Sequence, residues 1–133
     1  MNVVLDACAV IAYERDEPGA DVVEMFLVGD DTCWIHAINL CEVYYDFLRV
    51  GGPDAAEQVL TDLEGFNVLV VTMTEEGLWK LAATYKATLR RISLADCFAL
   101  ALTNSIEGTL ITSDHAEFDP VAAQNIGQIQ FIR

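Results

Sequence analysis

Positive charge is what this chain has least of. Its 133 residues carry seven Lys and Arg against 21 Asp and Glu, a formal net charge of −14. Such a polyanion repels nucleic acid at long range and favours basic partners, which excludes avid general binding to DNA or RNA. Cysteine is also sparse. Cys8, Cys33, Cys41 and Cys97 show no C-x-x-C spacing, which argues against a zinc ribbon or a disulfide framework and for reduced core thiols. No apolar run approaches the ~20 residues of a bilayer-spanning helix, so no membrane association is expected. The opening MNVVLDACAVIAYERDE has no basic stretch ahead of its apolar residues and does not read as a secretory signal. A cytoplasmic protein is expected. P-loop, G-x-S-x-G and G-x-G-x-x-G motifs are missing too, which removes the commonest nucleotide and acyl-transfer sites.

What is abundant is apolar material. At 53% hydrophobic and 21% charged residues the chain is no disordered segment, and its length suits one domain over residues 1–133. Short β-branched runs at 2–6, 32–36, 67–71, 109–112 and 128–132 predict strands. Residues 7–14, 18–28, 37–50, 53–63, 74–89 and 94–106 predict helices, with Glu75 and Glu76 suiting the positive end of the fifth. Leu78, Leu81, Ala82, Tyr85 and Leu89 form one apolar stripe; Ile38, Cys41, Tyr45 and Leu48 form another, expected to be buried. Strands alternating with helices predict an α/β fold around a mainly parallel sheet covered on both faces.

In such a fold, residues just past strand ends meet at the carboxyl edge of the sheet, where ligands bind. Asp6 ends NVVLD, and Asp114 follows TLITS. Asp96 lies in the first turn of a helix that returns to the same edge, and Glu42 lies early in the helix after 32–36, with Asn39 on the same flank. Each acid also fits a structural role. Asp6 can cap a helix, Asp96 stands in a near capping box with Ser93, Asp114 suits an Asx-turn, and Glu42 can reach solvent. The conjunction favours chemistry. Four converging carboxylates repel one another unless a hard divalent cation, Mg²⁺ or Mn²⁺, offsets them.

The stretches VVLDACAVIAYE, INLCEVYYDFL, RRISLADCFALALT and TLITSDHAEFDPV, in this order and spacing, resemble the PIN-domain family, most closely the VapC-type toxins. The resemblance covers nearly the whole chain. It implies a Rossmann-like three-layer α/β/α sandwich with a mostly parallel five-stranded sheet. By the same likeness, Asp6, Glu42, Asp96 and Asp114 form an acidic quartet that binds Mg²⁺ or Mn²⁺ for RNA phosphodiester hydrolysis, with Ser113 near the metal. It further implies a homodimer and a small cognate antitoxin protein. The alternative function is a catalytically weak PIN-like module whose acidic surface binds a basic partner. A phosphatase or receiver-type domain ranks below both, since no D-x-D or paired acids open the chain.

Among the remaining residues, Asp119 and Glu117 either extend the acidic rim or cap a helix before Pro120. His115 is expected in a loop at the rim, and His36 in a structural hydrogen bond. Trp34 and Trp79 are expected in the core or an interface. Lys80, Lys86, Arg90 and Arg91 gather most of the positive charge just upstream of Asp96. Arg90 and Arg91 are candidates for holding substrate phosphate, or else complement a helix C-terminus. Val22, Val23, Phe26, Tyr44 and Phe47 exceed what one small core needs and predict a surface for association.

Overall fold

Strands and helices alternate from end to end in a computed structural model that describes residues 1–72 and 76–133. The order is β1 (Asn2–Leu5), α1 (Ala7–Glu14), α2 (Ala20–Val28), β2 (Thr32–His36), α3 (Ala37–Gly65), β3 (Leu69–Val71), α4 (Glu76–Leu89), α5 (Leu94–Ser105), β4 (Thr109–Thr112), α6 (His115–Ala123) and β5 (Gln128–Phe131). The strands form one sheet in the order β3-β2-β1-β4-β5, every pair parallel. The expected α/β class and parallel sheet are therefore present. The expected helix start at Thr74 with Glu75 falls outside the described residues.

Each strand alternates its side chains between two cores, as the period of two demands. Val3, Leu5, Ile35 and Ile111 pack with α1, α2 and the core face of α3. Val4 and Leu110 pack on the other face with α4, α5 and α6. Helices on both faces make three layers. The chain runs outward from β1 to β3 beneath the first helices, then crosses to β4 and β5 beneath the others. That reversal places a switch point between β1 and β4, and open α/β sheets bind ligands there.

Within α3 the helix breaks. Gly52 has φ 83°, a left-handed conformation that glycine adopts without a Cβ clash, and Pro53 follows it. Tyr44 Oη donates to Glu57 Oε1 at 2.9 Å. In a straight helix these residues would stand about 20 Å apart at 1.5 Å per residue, so the two halves fold back on each other. The two separate helices read over 37–50 and 53–63 correspond to these halves.

Two expectations need correction. The stripe of Ile38, Cys41, Tyr45 and Leu48 is not the buried face of α3: Cys41 is exposed, Tyr45 is 61% exposed and Leu48 40%. Asn39 and Val43 face inward instead, with Leu40 and Phe47 packed on the core. Almost the whole first half of α3 is apolar, so spacing alone does not choose the inner side. Conversely, Val23 and Phe26 are core residues, and Val22 and Phe47 pack against them, so they do not form a free surface. Among the cysteines, which are all unpaired, Cys33 and Cys97 are buried, Cys8 is half-buried, and only Cys41 departs from the expected core placement.

Candidate metal centre

Helices beginning at the carboxyl edge bring the acids together. Asp6 caps α1: Ala9 N–H donates to its Oδ1 at 2.8 Å. Asp114 caps α6 in the same way, accepting from Glu117 N–H at 3.0 Å. Ser93 caps α5, accepting from Asp96 N–H at 3.2 Å. The structural roles weighed for Asp6 and Asp114 are thus real, yet each cap occupies one carboxylate oxygen and leaves the other. α1, α5 and α6 all begin at this edge, and the positive ends of their dipoles favour anions there.

Asp96, Asp114 and Glu117 each offer an oxygen within 4.8 Å of the others, all half-buried. Glu117 Oε2 also accepts from Ser93 N–H at 2.6 Å, which ties α6 to the start of α5. Asp6 is 1% exposed, and its Oδ2 is buried with no partner in hydrogen-bond geometry. Burial pushes the Asp6 carboxyl up to about 7; the Thr112 hydroxyl and Ala9 N–H oppose this, and the charges of Asp114 and Glu42 add to it. Thr112 Oγ1 accepts Asp114 N–H at 2.9 Å and keeps its own proton for the Asp6 carboxylate, so one hydroxyl links the two acids. Asp96 is raised by burial, by the charges of Asp6 and Glu117 and by a side-chain hydrogen bond with Glu117, against which the Ser93 hydroxyl acts. Glu42 is raised by partial desolvation and by Glu117, from an exposed position on α3.

The quartet read from the sequence is therefore arranged unevenly. Asp96 and Asp114 lie in the tight group, Asp6 borders it, and Glu42 faces it through Glu117. Asp119 does not join. It is exposed, and its Oδ1 pairs with His115 Nδ1 at 2.8 Å. His115 is the first residue of α6, not a loop residue: its Nε2 bonds Arg133 O at 2.7 Å and its ring stacks on Phe131 at 3.9 Å. Ser113 approaches the Cys8 thiol, which burial and the charges of Asp6, Asp114 and Asp96 push up to about 12. Asn39 is buried; its Nδ2 donates to Ala95 O at 3.3 Å, which fixes α3 against the turn carrying Asp96. His36 caps α3, its Nδ1 accepting Ile38 N–H at 3.1 Å.

Glu117 emerges as the residue ranked too low by sequence reading, where it shared its place with Asp119. The signal was available: in a helix started by Asp114, residue 117 lies one turn along the same flank. Pro120 and the acidic run hid that helix.

The residues suit a hard divalent cation. Three carboxylates within reach of one another, a buried unpartnered carboxylate oxygen beside them and an all-oxygen donor set match the preference of Mg²⁺ or Mn²⁺. Most of the positive charge placed by these contacts is already engaged. Arg15 pairs with Asp46 at 2.6 Å, Arg49 with Asp46 at 3.1 Å, and Arg133 with Glu17 at 3.4 Å. Lys86 Nζ donates to Arg90 O and Ile92 O, so it serves the helix end. Arg90 and Arg91 are exposed, on the loop leading to α5.

The chain is thus a three-layer α/β/α protein with an all-parallel sheet and carboxylates gathered at its switch point. The PIN domain model matches residues 3–124, and the chain belongs to that family. Solved structures agree on the fold. The VapBC2 complex of Rickettsia felis, bound to promoter DNA, contains a chain 14% identical, with TM-score 0.78 and 98% of each chain covered. VapBC-1 from nontypeable Haemophilus influenzae is 21% identical, with TM-score 0.70 and coverage of 99% and 98%. VapC20 from Mycobacterium tuberculosis, a toxin that cleaves the sarcin-ricin loop, is 14% identical, with TM-score 0.72 and coverage of 90% and 94%. A comparison with curated proteins finds no significant match.

Proposed function

We propose that this chain, as a single domain over residues 1–133, is a metal-dependent endoribonuclease and the toxin of a toxin–antitoxin pair. The observation that carries the reading is the triad of Asp96, Asp114 and Glu117 beside the unpartnered Asp6 oxygen, in a PIN-family fold. Asp6, Asp96, Asp114 and Glu117 would hold the ion or ions, Mg²⁺ or Mn²⁺, with Glu42 at the rim. When bound, such ions supply charge neutralisation at phosphorus and an activated water. Glu42, exposed at the rim beside Glu117, would accept the proton released by such a water. Asp6 Oδ1 and Asp114 Oδ1 stay on their helix caps, which fixes the other oxygen of each. Ser113 and Asn39 position the surroundings, and Arg90 and Arg91 hold the phosphate backbone of the RNA.

The partners follow from the surface. A basic antitoxin complements the net charge of −14. The exposed apolar face of α3, with Tyr45 and Leu48, lies with Trp79 and Leu94 on the outside of the molecule and supports a homodimer. Among the described residues no helix is long and apolar enough to cross a membrane, consistent with a cytoplasmic protein.

A second reading keeps the fold without the chemistry: an acidic module that binds a basic protein. The scarcity of free cations favours it. Cleavage of a mixed RNA pool with Mg²⁺, with Mn²⁺ and with EDTA decides between them, using Asp6→Asn as control. Metal-dependent cutting that the variant loses supports the ribonuclease. Equal cutting by the variant, or none by the parent, overturns it.

A further inference from the structure

A narrow cleft of about 170 Å³ opens beside the acid triad, between the loop before α5 and the outer side of α6. Glu117 belongs to both, so the cleft and the cluster share a wall. Its volume is below the ~300–1,000 Å³ of clefts that take drug-sized ligands, which leaves room for one small ring system. Leu89 and Pro120 give it apolar surface, over Ile92 and Val121, which are buried in the core beneath. Four polar side chains also line it, Thr88, Arg91, Glu117 and Gln124. Arg91 is exposed on the loop before α5, and Gln124, at the C-cap of α6, is exposed with an amide that both donates and accepts.

Apolar surface suits a flat ring, an amide its edge and a guanidinium a phosphate, which together make up a nucleotide. We infer that this cleft takes the nucleobase adjoining the scissile phosphate, and that Gln124 reads its edge. The inference rests on the ribonuclease reading above. Proteins read single-stranded RNA in this way, by splaying a base into a pocket and bonding its edge.

The test varies the nucleotide next to the cleaved bond in short single-stranded oligonucleotides, with Mn²⁺ present. The parent is expected to prefer one base about tenfold or more, the discrimination typical of a good bidentate pair. Gln124→Ala is expected to bring that preference below about threefold. Ala116→Phe, which fills the cleft from its exposed side, is expected to raise KM for the preferred oligonucleotide several-fold while the Mn²⁺-induced rise in Tm persists. A parent that cleaves without base preference, or unchanged base ratios in Gln124→Ala, overturns the subsite and leaves the ribonuclease reading intact. Cleft variants that lose a basic protein partner while keeping their base ratios also overturn it. A parent that cleaves no RNA with either ion overturns both.

Discussion

Replacing Asp6 with Asn keeps the shape and the helix cap but removes a buried ionisable group, since Asn serves as an N-cap as well as Asp. A carboxyl held at about 7 in place of its ordinary 3.8 opposes folding by roughly 4 kcal/mol once fully ionised, at 1.36 kcal/mol per pH unit. The sign follows from proton uptake. Between pH 3.8 and about 7 the folded protein binds more protons at Asp6 than the unfolded chain, so stability falls as pH rises through this window and the full loss is reached above it. In EDTA, the Asn variant is therefore expected to gain on the parent by about 1–2 kcal/mol at pH 5 and about 3–4 kcal/mol at pH 8. The change between the two pH values, about 2–3 kcal/mol, is the sharper quantity, because any packing loss that ignores pH cancels in it. Urea unfolding followed by tryptophan fluorescence measures both. Parallel pH profiles for parent and variant would refute the reasoning and leave Asp6 as a helix cap.

Asp96→Asn, without metal, is expected to be at least as stable as the parent at pH 8 while losing the rise in Tm that excess Mn²⁺ gives the parent; differential scanning fluorimetry reads both. Replacing both Arg90 and Arg91 with Ala should weaken RNA binding across sequences and lower the slope of log K against log salt by about 1.4, measured by fluorescence anisotropy. Phe118 is fully buried on α6, and Phe118→Ala is expected to cost about 3–5 kcal/mol in urea unfolding. Because α6 carries Asp114 and Glu117, that variant should also bind Mn²⁺ more weakly at temperatures where it remains folded.

The sheet was readable because its strands are short, β-branched and set between helical stretches, so period and length agree. β1 and β4 end within a residue of expectation, and the expected stripe of α4 does pack inward, Leu78 and Ala82 most deeply. α6 was unreadable for a local reason: its run of His115, Glu117, Asp119 and Pro120 has no apolar periodicity, and only Phe118 and Val121 anchor it. Missing that helix separated Glu117 from Asp114 and left Asp119 as an equal candidate. The inner side of α3 was misread because apolar residues occupy most of its first half, and the choice belongs to the packing of α1 and α5 against it. Convergence of acids on one edge follows from parallel topology, but which oxygens approach within 4.8 Å depends on caps that only the folded backbone sets.

β3 is three residues long and closes one side of the sheet, with Leu69 44% and Val70 49% exposed. An open strand edge with apolar side chains is a template for stacking copies of the chain. What holds copies apart is mutual repulsion, which vanishes near the isoelectric point of about 4.1 and is screened by salt. Precipitation should therefore set in toward pH 4, in the same range where the neutral Asp6 carboxyl makes the folded chain most favourable. Colloidal and conformational optima lie at opposite ends of the pH scale for this molecule, and clouding on acidification is then a sign of contact between folded copies, not of unfolding.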